Sequence, residues 1–94
     1  MKIQDFKVNH IYEEELFRYG VTAQQERCIR WYMILSVKRE AKNDARGAYI
    51  GYTICSLLLK ETFYPDIRPD ERIMVNYFIE DYDLKNVREV KLND

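Results

Sequence analysis

The sequence predicts a mainly α-helical fold, a small compact bundle of three to four helices built on a long central helical hairpin. Three observations point there. The stretch Thr22–Tyr64 is rich in apolar residues and has one clear interruption, the charged patch Lys38–Gly47. Only three glycines and two prolines occur in 94 residues, too few for a many-turned sandwich or barrel. Helix start and stop signals flank the apolar stretches.

Each element follows from local chemistry. Residues 1–8 alternate weakly through Ile3, Phe6 and Val8 and read as a short edge strand or extended arm. Asn9 is placed to cap a short helix over 10–19. Glu13, Glu14 and Glu15 lie toward its positive end and Arg18 in its last turn, with Tyr12, Leu16 and Tyr19 on the inner stripe. Gly20 supplies the stop. Thr22 with Gln25 three residues on is a capping-box pattern. Behind it Cys28, Trp31, Tyr32 and Leu35 follow helical spacing, and Ile29, Met33 and Val37 widen the arc.

That helix ends between Lys42 and Gly47. The next, over 48–63, carries Ala48, Tyr52, Cys55 and Leu59 on one stripe and stops at Tyr64-Pro65. Pro69, Asp70 and Glu71 open a last helix through about Glu80, with Ile73, Met74, Tyr77 and Phe78 inward. The tail from Tyr82 alternates weakly around Val90 and Leu92 and reads as a strand or a loose end. The competing fold is α+β, with Trp31–Val37 and Tyr49–Leu59 as strands of a hairpin, because both runs are rich in aromatic and β-branched residues. The segment Lys38–Ala48 would then be a long loop. Helices are preferred because Lys38–Arg46 consists largely of good helix formers and shows no hairpin turn pair.

Length and composition bound the rest. A chain of 94 residues is a single domain spanning 1–94, and it buries roughly 60–70% of the surface its unfolded chain exposes. The net charge of −1 provides no global field toward nucleic acid or anionic membrane. Charge is unevenly placed: Arg27–Gly47 carries six basic residues against Glu40 and Asp44, whereas Glu61–Asp83 carries seven acids against Arg68 and Arg72. The two segments neutralise each other within one fold, or form a dipolar surface that docks a charged partner or a second copy.

Two cysteines, Cys28 and Cys55, are too few for a disulfide scaffold. In an antiparallel hairpin turning near Ala45–Arg46, facing positions add to about 91, so Cys28 faces Phe63 and Cys55 faces Ser36. The offset of ~12 Å exceeds the ~7 Å that a bridge spans. Free thiols, no apolar leader after Met1 and no run long enough to cross a bilayer together predict a cytoplasmic protein with no membrane role.

No cofactor, metal or catalytic set stands out. His10 is the lone histidine, Cys28 lies on an apolar stripe, and Gly47-x-x-x-Gly51 is a close-packing spacing rather than a phosphate loop. The expectation is a non-enzymatic protein-binding domain of adaptor, inhibitor or immunity type, with homodimerisation as one form of that binding. Its partner-binding residues are Tyr49, Tyr64, Tyr77, Lys38, Arg39 and Lys42, since half-buried tyrosines favour interfaces. The alternative is a DNA-binding regulator. Tyr19–Arg27 looks like the middle of a helix-turn-helix, with Gln24, Arg27 and Arg30 as the groove-reading side chains. Nucleic acid is the less favoured partner, because Trp31, Tyr32 and Leu35 would have to be exposed on the recognition helix.

Overall fold

A computed structural model describes residues 1–19, 25–63, 66–68 and 72–91, without the side chains of 18, 19, 25, 26, 63 and 66–68. Strands carry the fold: β1 Ile11–Tyr19, β2 Gln25–Asp44, β3 Gly47–Phe63, β4 Asp66–Arg68, β5 Arg72–Ile79 and β6 Val87–Glu89. The one helical piece among the described residues is a single 3₁₀ turn, Ile3–Asp5. The expected helical bundle is therefore wrong. The helices placed over 10–19, from 22, over 48–63 and up to Glu80 are strands β1, β2, β3 and β5. The caps assigned to Gly20, Thr22 and Pro69–Glu71, and the stop at Tyr64-Pro65, lie outside the described residues. The α+β alternative is right that 31–37 and 49–59 are paired strands of one hairpin, but it is wrong in keeping helices elsewhere and in making the charged segment a loop, since that segment is paired strand too.

The strands form one antiparallel sheet in the order β4-β3-β2-β1-β6, with β5 beside β4 along the same edge of β3. Its spine is the β2–β3 hairpin, which reverses at Ala45–Arg46. Asp44 Oδ1 accepts from the Arg46 N–H at 2.8 Å, and Gly47 takes a φ of 115° that a side chain would strain. An Asp first and a Gly fourth are the residues a type I turn prefers. The turn signal was thus present in Asp44-x-x-Gly47, spread over four positions instead of a central pair.

Two bulges explain the misleading periodicity. Pairing shifts between Trp31 and Tyr32, where Leu59 is the extra residue on β3, and between Ile34 and Ser36, where Leu35 is the extra residue on β2. Each shift cancels the other, so Cys28 faces Phe63 and Ser36 faces Cys55. On β2 the inward positions therefore run Cys28, Arg30, Tyr32, Ile34, then the partly buried Val37; on β3 they run Ile54, Ser56, Leu58, then Glu61. A step of three across each bulge, in strands apolar on both faces, permits a helical stripe to be drawn through a β-strand.

The core lies on one face of the sheet, here the inner face. Ile3, Phe6, Tyr12, Tyr32, Ile34, Ile54 and Leu84 form it. The N-terminal segment and the loop around Leu84 cover this face. They are tied by Leu84 N–H to Met1 O at 2.8 Å and by the Met1 ammonium to Asp83 at 3.2 Å. Tyr12 sits at the centre; its hydroxyl accepts from the Lys7 N–H at 2.8 Å and donates to Asp5 O. Asn9, expected as a helix cap, is instead a left-handed turn residue at φ 69° leading into β1. The molecule measures 43 × 40 × 22 Å, a single sheet with one covered face.

Trp31, expected in the core, stands half-buried on the other, outer face. Its indole N–H donates to Glu13 at 2.7 Å and the Lys60 ammonium lies 3.8 Å from its ring.

Candidate functional site

The outer face is the candidate site. Alternation along β2, β3 and β5 brings Met33, Leu57 and Ile73 into one cross-strand row, with Cys55 and Val75 beside it, then Tyr77, then Ile79. Ile73, Val75 and Ile79 are 56%, 66% and 54% exposed. Among the described residues nothing covers this row.

Toward the hairpin tip the surface becomes aromatic and charged. The Tyr49 and Tyr77 rings meet edge to face at 5.9 Å between centroids, and the Lys42 ammonium sits 4.2 Å from the centre of the Tyr77 ring. The Tyr49 hydroxyl donates to Asp44 at 3.0 Å, which raises the Tyr49 pKa; Asp44 is held low first by the Arg46 backbone N–H and then by Tyr49. Arg46, Tyr49, Tyr77 and Ile79 line a shallow cleft. Gly51 makes this packing possible. A Cβ there would lie 2.5 Å from the Tyr77 ring and 2.3 Å from the Phe78 carbonyl oxygen.

The partner-binding residues expected from sequence are only partly united. Tyr49, Tyr77 and Lys42 form the cluster just described. Lys38 shares the outer face and pairs with Glu40 at 3.1 Å. Arg39 projects to the opposite face and reaches Glu80 at 3.4 Å. Tyr64 lies outside the described residues.

The DNA-reading set does not assemble. Its helix is strand β2, and Gln24 lies outside the described residues. Arg27 pairs with Glu15 on the outer face at 2.8 Å, while Arg30 points inward to Glu61 at 3.4 Å. Two arginines on opposite faces of a sheet cannot read one groove.

The inner face holds a second polar group. Glu61, only 4% exposed, receives Arg30 at 3.4 Å and Arg72 at 3.0 Å, with the Cys28 thiol 3.7 Å away. Beside them a cavity of about 120 Å³ is lined by Glu14, Arg30, Tyr32, Ser56 and Asn76 together with apolar side chains. Burial pushes the Glu14 carboxyl up, and the nearby Arg30 charge opposes it only in part. Burial also raises the Tyr32 hydroxyl. On the outer face Glu13 goes the other way. Burial works against its charge, but hydrogen bonds from Trp31 and Arg88 together hold the carboxyl low.

Among the described residues the expected neutralisation of the basic segment by the acidic one is seen for Arg30 with Glu61 and for Arg39 with Glu80; Lys38 pairs with Glu40, Arg46 with Asp44 and Arg27 with Glu15. His10 is paired with Glu89, and no group of three or more metal-ligating side chains occurs among the described residues. Cys28 and Cys55 are free thiols. No helix among the described residues is long and apolar enough to cross a membrane.

Sequence reasoning missed β5 as a surface element. The run Ile73–Ile79 holds three β-branched and two aromatic residues in seven, a strand composition, but a helical stripe was drawn through it. The chain matches no family model, and neither the curated proteins nor the solved structures contain a match to it.

Proposed function

We propose that this chain is a small non-enzymatic protein-binding domain that docks an extended segment of its partner along β5 and the adjoining outer face. One observation carries the reading. β5 pairs with β3 along one side, and among the described residues its other side pairs with nothing. Natural sheets blunt such an edge with lysine, proline, a bulge or a cover. β5 has none of the first three: Ile73–Ile79 is uncharged, lacks proline, and its pairing with β3 runs without a shift.

An open edge supplies main-chain hydrogen bonds, and the alternate side chains Ile73, Val75, Tyr77 and Ile79 supply apolar contact, the two ingredients of recognition by strand addition. Tyr49 and Lys42 extend that surface toward the hairpin tip. The net charge of −1 favours a protein over nucleic acid, and the free thiols suit a reducing, cytoplasmic setting.

The test is selection of displayed random peptides on the immobilised protein at high dilution. The expected outcome is enrichment of extended peptides with alternating apolar residues, whose affinity falls roughly tenfold or more on Val75→Lys. No enrichment, or equal binding by wild type and V75K, overturns the reading.

A further inference from the structure

We infer that the strand which β5 receives is the β5 of a second copy of this chain, paired antiparallel about a twofold axis between the two Asn76 residues. The inference rests on the reading of β5 as a docking edge and names its occupant.

The hydrogen-bond pattern comes first. The Glu80 N–H donates to Ile50 O at 2.9 Å, and these two residues are directly opposite in the β3–β5 register. In an antiparallel ladder such pairs recur every second residue. Arg72, Met74, Asn76 and Phe78 therefore turn their main-chain groups toward β3. Ile73, Val75 and Tyr77 turn theirs to the open edge; Ile79 turns its N–H there, while its carbonyl already accepts from the Tyr82 N–H at 3.1 Å. That edge offers donors and acceptors in a repeat that matches itself when reversed.

The side chains then select the register. A twofold axis normal to the sheet keeps outer faces together, so odd residues meet odd and even meet even. With Asn76 on the axis, Ile73 faces Ile79 of the second copy and Val75 faces its Tyr77, both apolar pairs on the outer face. On the inner face Met74 meets Phe78, and the two Asn76 amides meet each other. At each end Arg72, which also holds Glu61 of its own chain, stands opposite Glu80 of the other copy, which is itself reached by Arg39, so opposite charges adjoin twice. The neighbouring register, centred on Val75, sets Arg72 against Phe78 and gives it no acid across the ladder. Charge complementarity thus favours one arrangement.

Isologous pairing also closes the assembly. Each copy uses the open edge of β5, leaving the three-residue β6 at the outer limits of a twelve-stranded sheet; the side of β2 beyond Ile34 that faces away from β3 is also open among the described residues, but Lys38, Arg39, Glu40, Lys42 and Asp44 blunt it with charge. A contact of this length falls at the small end of interface sizes, below ~1,200 Å², so the dimer dissociates on dilution.

Cysteine cross-linking in full-length protein tests the register. In a Cys55→Ser background, Asn76→Cys places two thiols in a non-hydrogen-bonded pair, with Cα atoms about 4.5 Å apart, inside the range a disulfide accepts. Val75→Cys leaves its two thiols diagonal, at about 7–8 Å. The expected result is a covalent dimer from N76C on mild oxidation and little from V75C. Sedimentation of wild type should show a dimer that dissociates on dilution, and Val75→Lys should shift that midpoint to higher concentration by roughly tenfold or more. Cross-linking by V75C with none by N76C overturns the register. Wild type that sediments as a monomer at every concentration overturns self-pairing. Peptide selection that still succeeds in that case leaves β5 as a docking edge for another protein; selection that also fails removes both readings.

Discussion

The ring of Tyr77 occupies the space a side chain at Gly51 would fill, and its hydroxyl donates across to Glu40 O at 3.4 Å. One missing Cβ on β3 thus allows β5 to sit close along it.

Gly51→Ala should break that approach. The new methyl meets the Phe78 carbonyl oxygen, which is backbone and cannot swing aside. Overpacking of this kind costs about 1–3 kcal/mol. A lower urea midpoint is expected, with faster hydrogen exchange concentrated in 73–79. An unchanged midpoint would mean that β5 has room to move away from β3 at no cost.

Glu61→Ala should be among the most damaging single changes. It takes from the mostly buried Arg30 guanidinium the carboxylate at 3.4 Å and from Arg72 the one at 3.0 Å. Breaking a buried pair from one side costs about 3–5 kcal/mol. Glu61→Gln should recover part of the loss by keeping the shape and one acceptor. Equal stability of E61A and wild type in urea would show that the inner polar group is solvated.

Glu14 and Glu13 should respond to pH in opposite senses. The Glu14 pKa is raised in the folded state, so its charged form opposes folding; that penalty is complete above the folded pKa and disappears below the unfolded value near 4.5. Glu14→Gln is therefore expected to stabilise the protein at pH 7 and to have a shrinking effect as acid is added. The Glu13 pKa is lowered, so its contribution is present above the unfolded value near 4.5 and lost as pH falls through the folded one. Glu13→Gln should destabilise at pH 7 and become neutral in strong acid. Urea midpoints of the two variants against pH should converge with wild type from opposite sides.

Adjacent leucines on β3 should separate the two faces. Leu58 is fully buried, and Leu58→Ala should cost about 2–5 kcal/mol. Leu57 is half-buried on the outer face, and Leu57→Ala should cost clearly less. The reverse order in thermal or chemical unfolding would place the core on the wrong side of the sheet.

Much of the chain's organisation was legible in the residues, but its element type was not. The reversal at Ala45–Arg46 and the pairing of Cys28 with Phe63 and of Ser36 with Cys55 follow from the charged interruption between two apolar runs. Antiparallel helices and antiparallel strands obey the same arithmetic, so the arithmetic does not choose between them. Residues i and i+4 share a face in both, as Cys28 and Tyr32 do; Trp31 and Leu35, apolar positions of the same run, completed a false helical stripe. The β-branched and aromatic content of β5 was the better signal. The inner group of Glu14, Arg30, Glu61 and Arg72 comes from three strands and β5, and no spacing along the chain announces it. Tyr49, Tyr77 and Lys42 were named from residue type, and the sheet register brings them together.

The extra residues Leu35 and Leu59 carry a consequence for how chain length maps onto shape. Faces on either side of each bulge follow the order they would keep without it: Ile34 inward, Ser36 outward, Val37 inward, and Leu58 inward, Lys60 outward, Glu61 inward. Loss of either leucine therefore preserves which side chains are solvent-facing. What it removes is the added local twist that a bulge imposes on a strand. At these two positions a one-residue change in length tunes the curvature of the hairpin over its core, whereas the same change elsewhere in β2 or β3 inverts every residue beyond it.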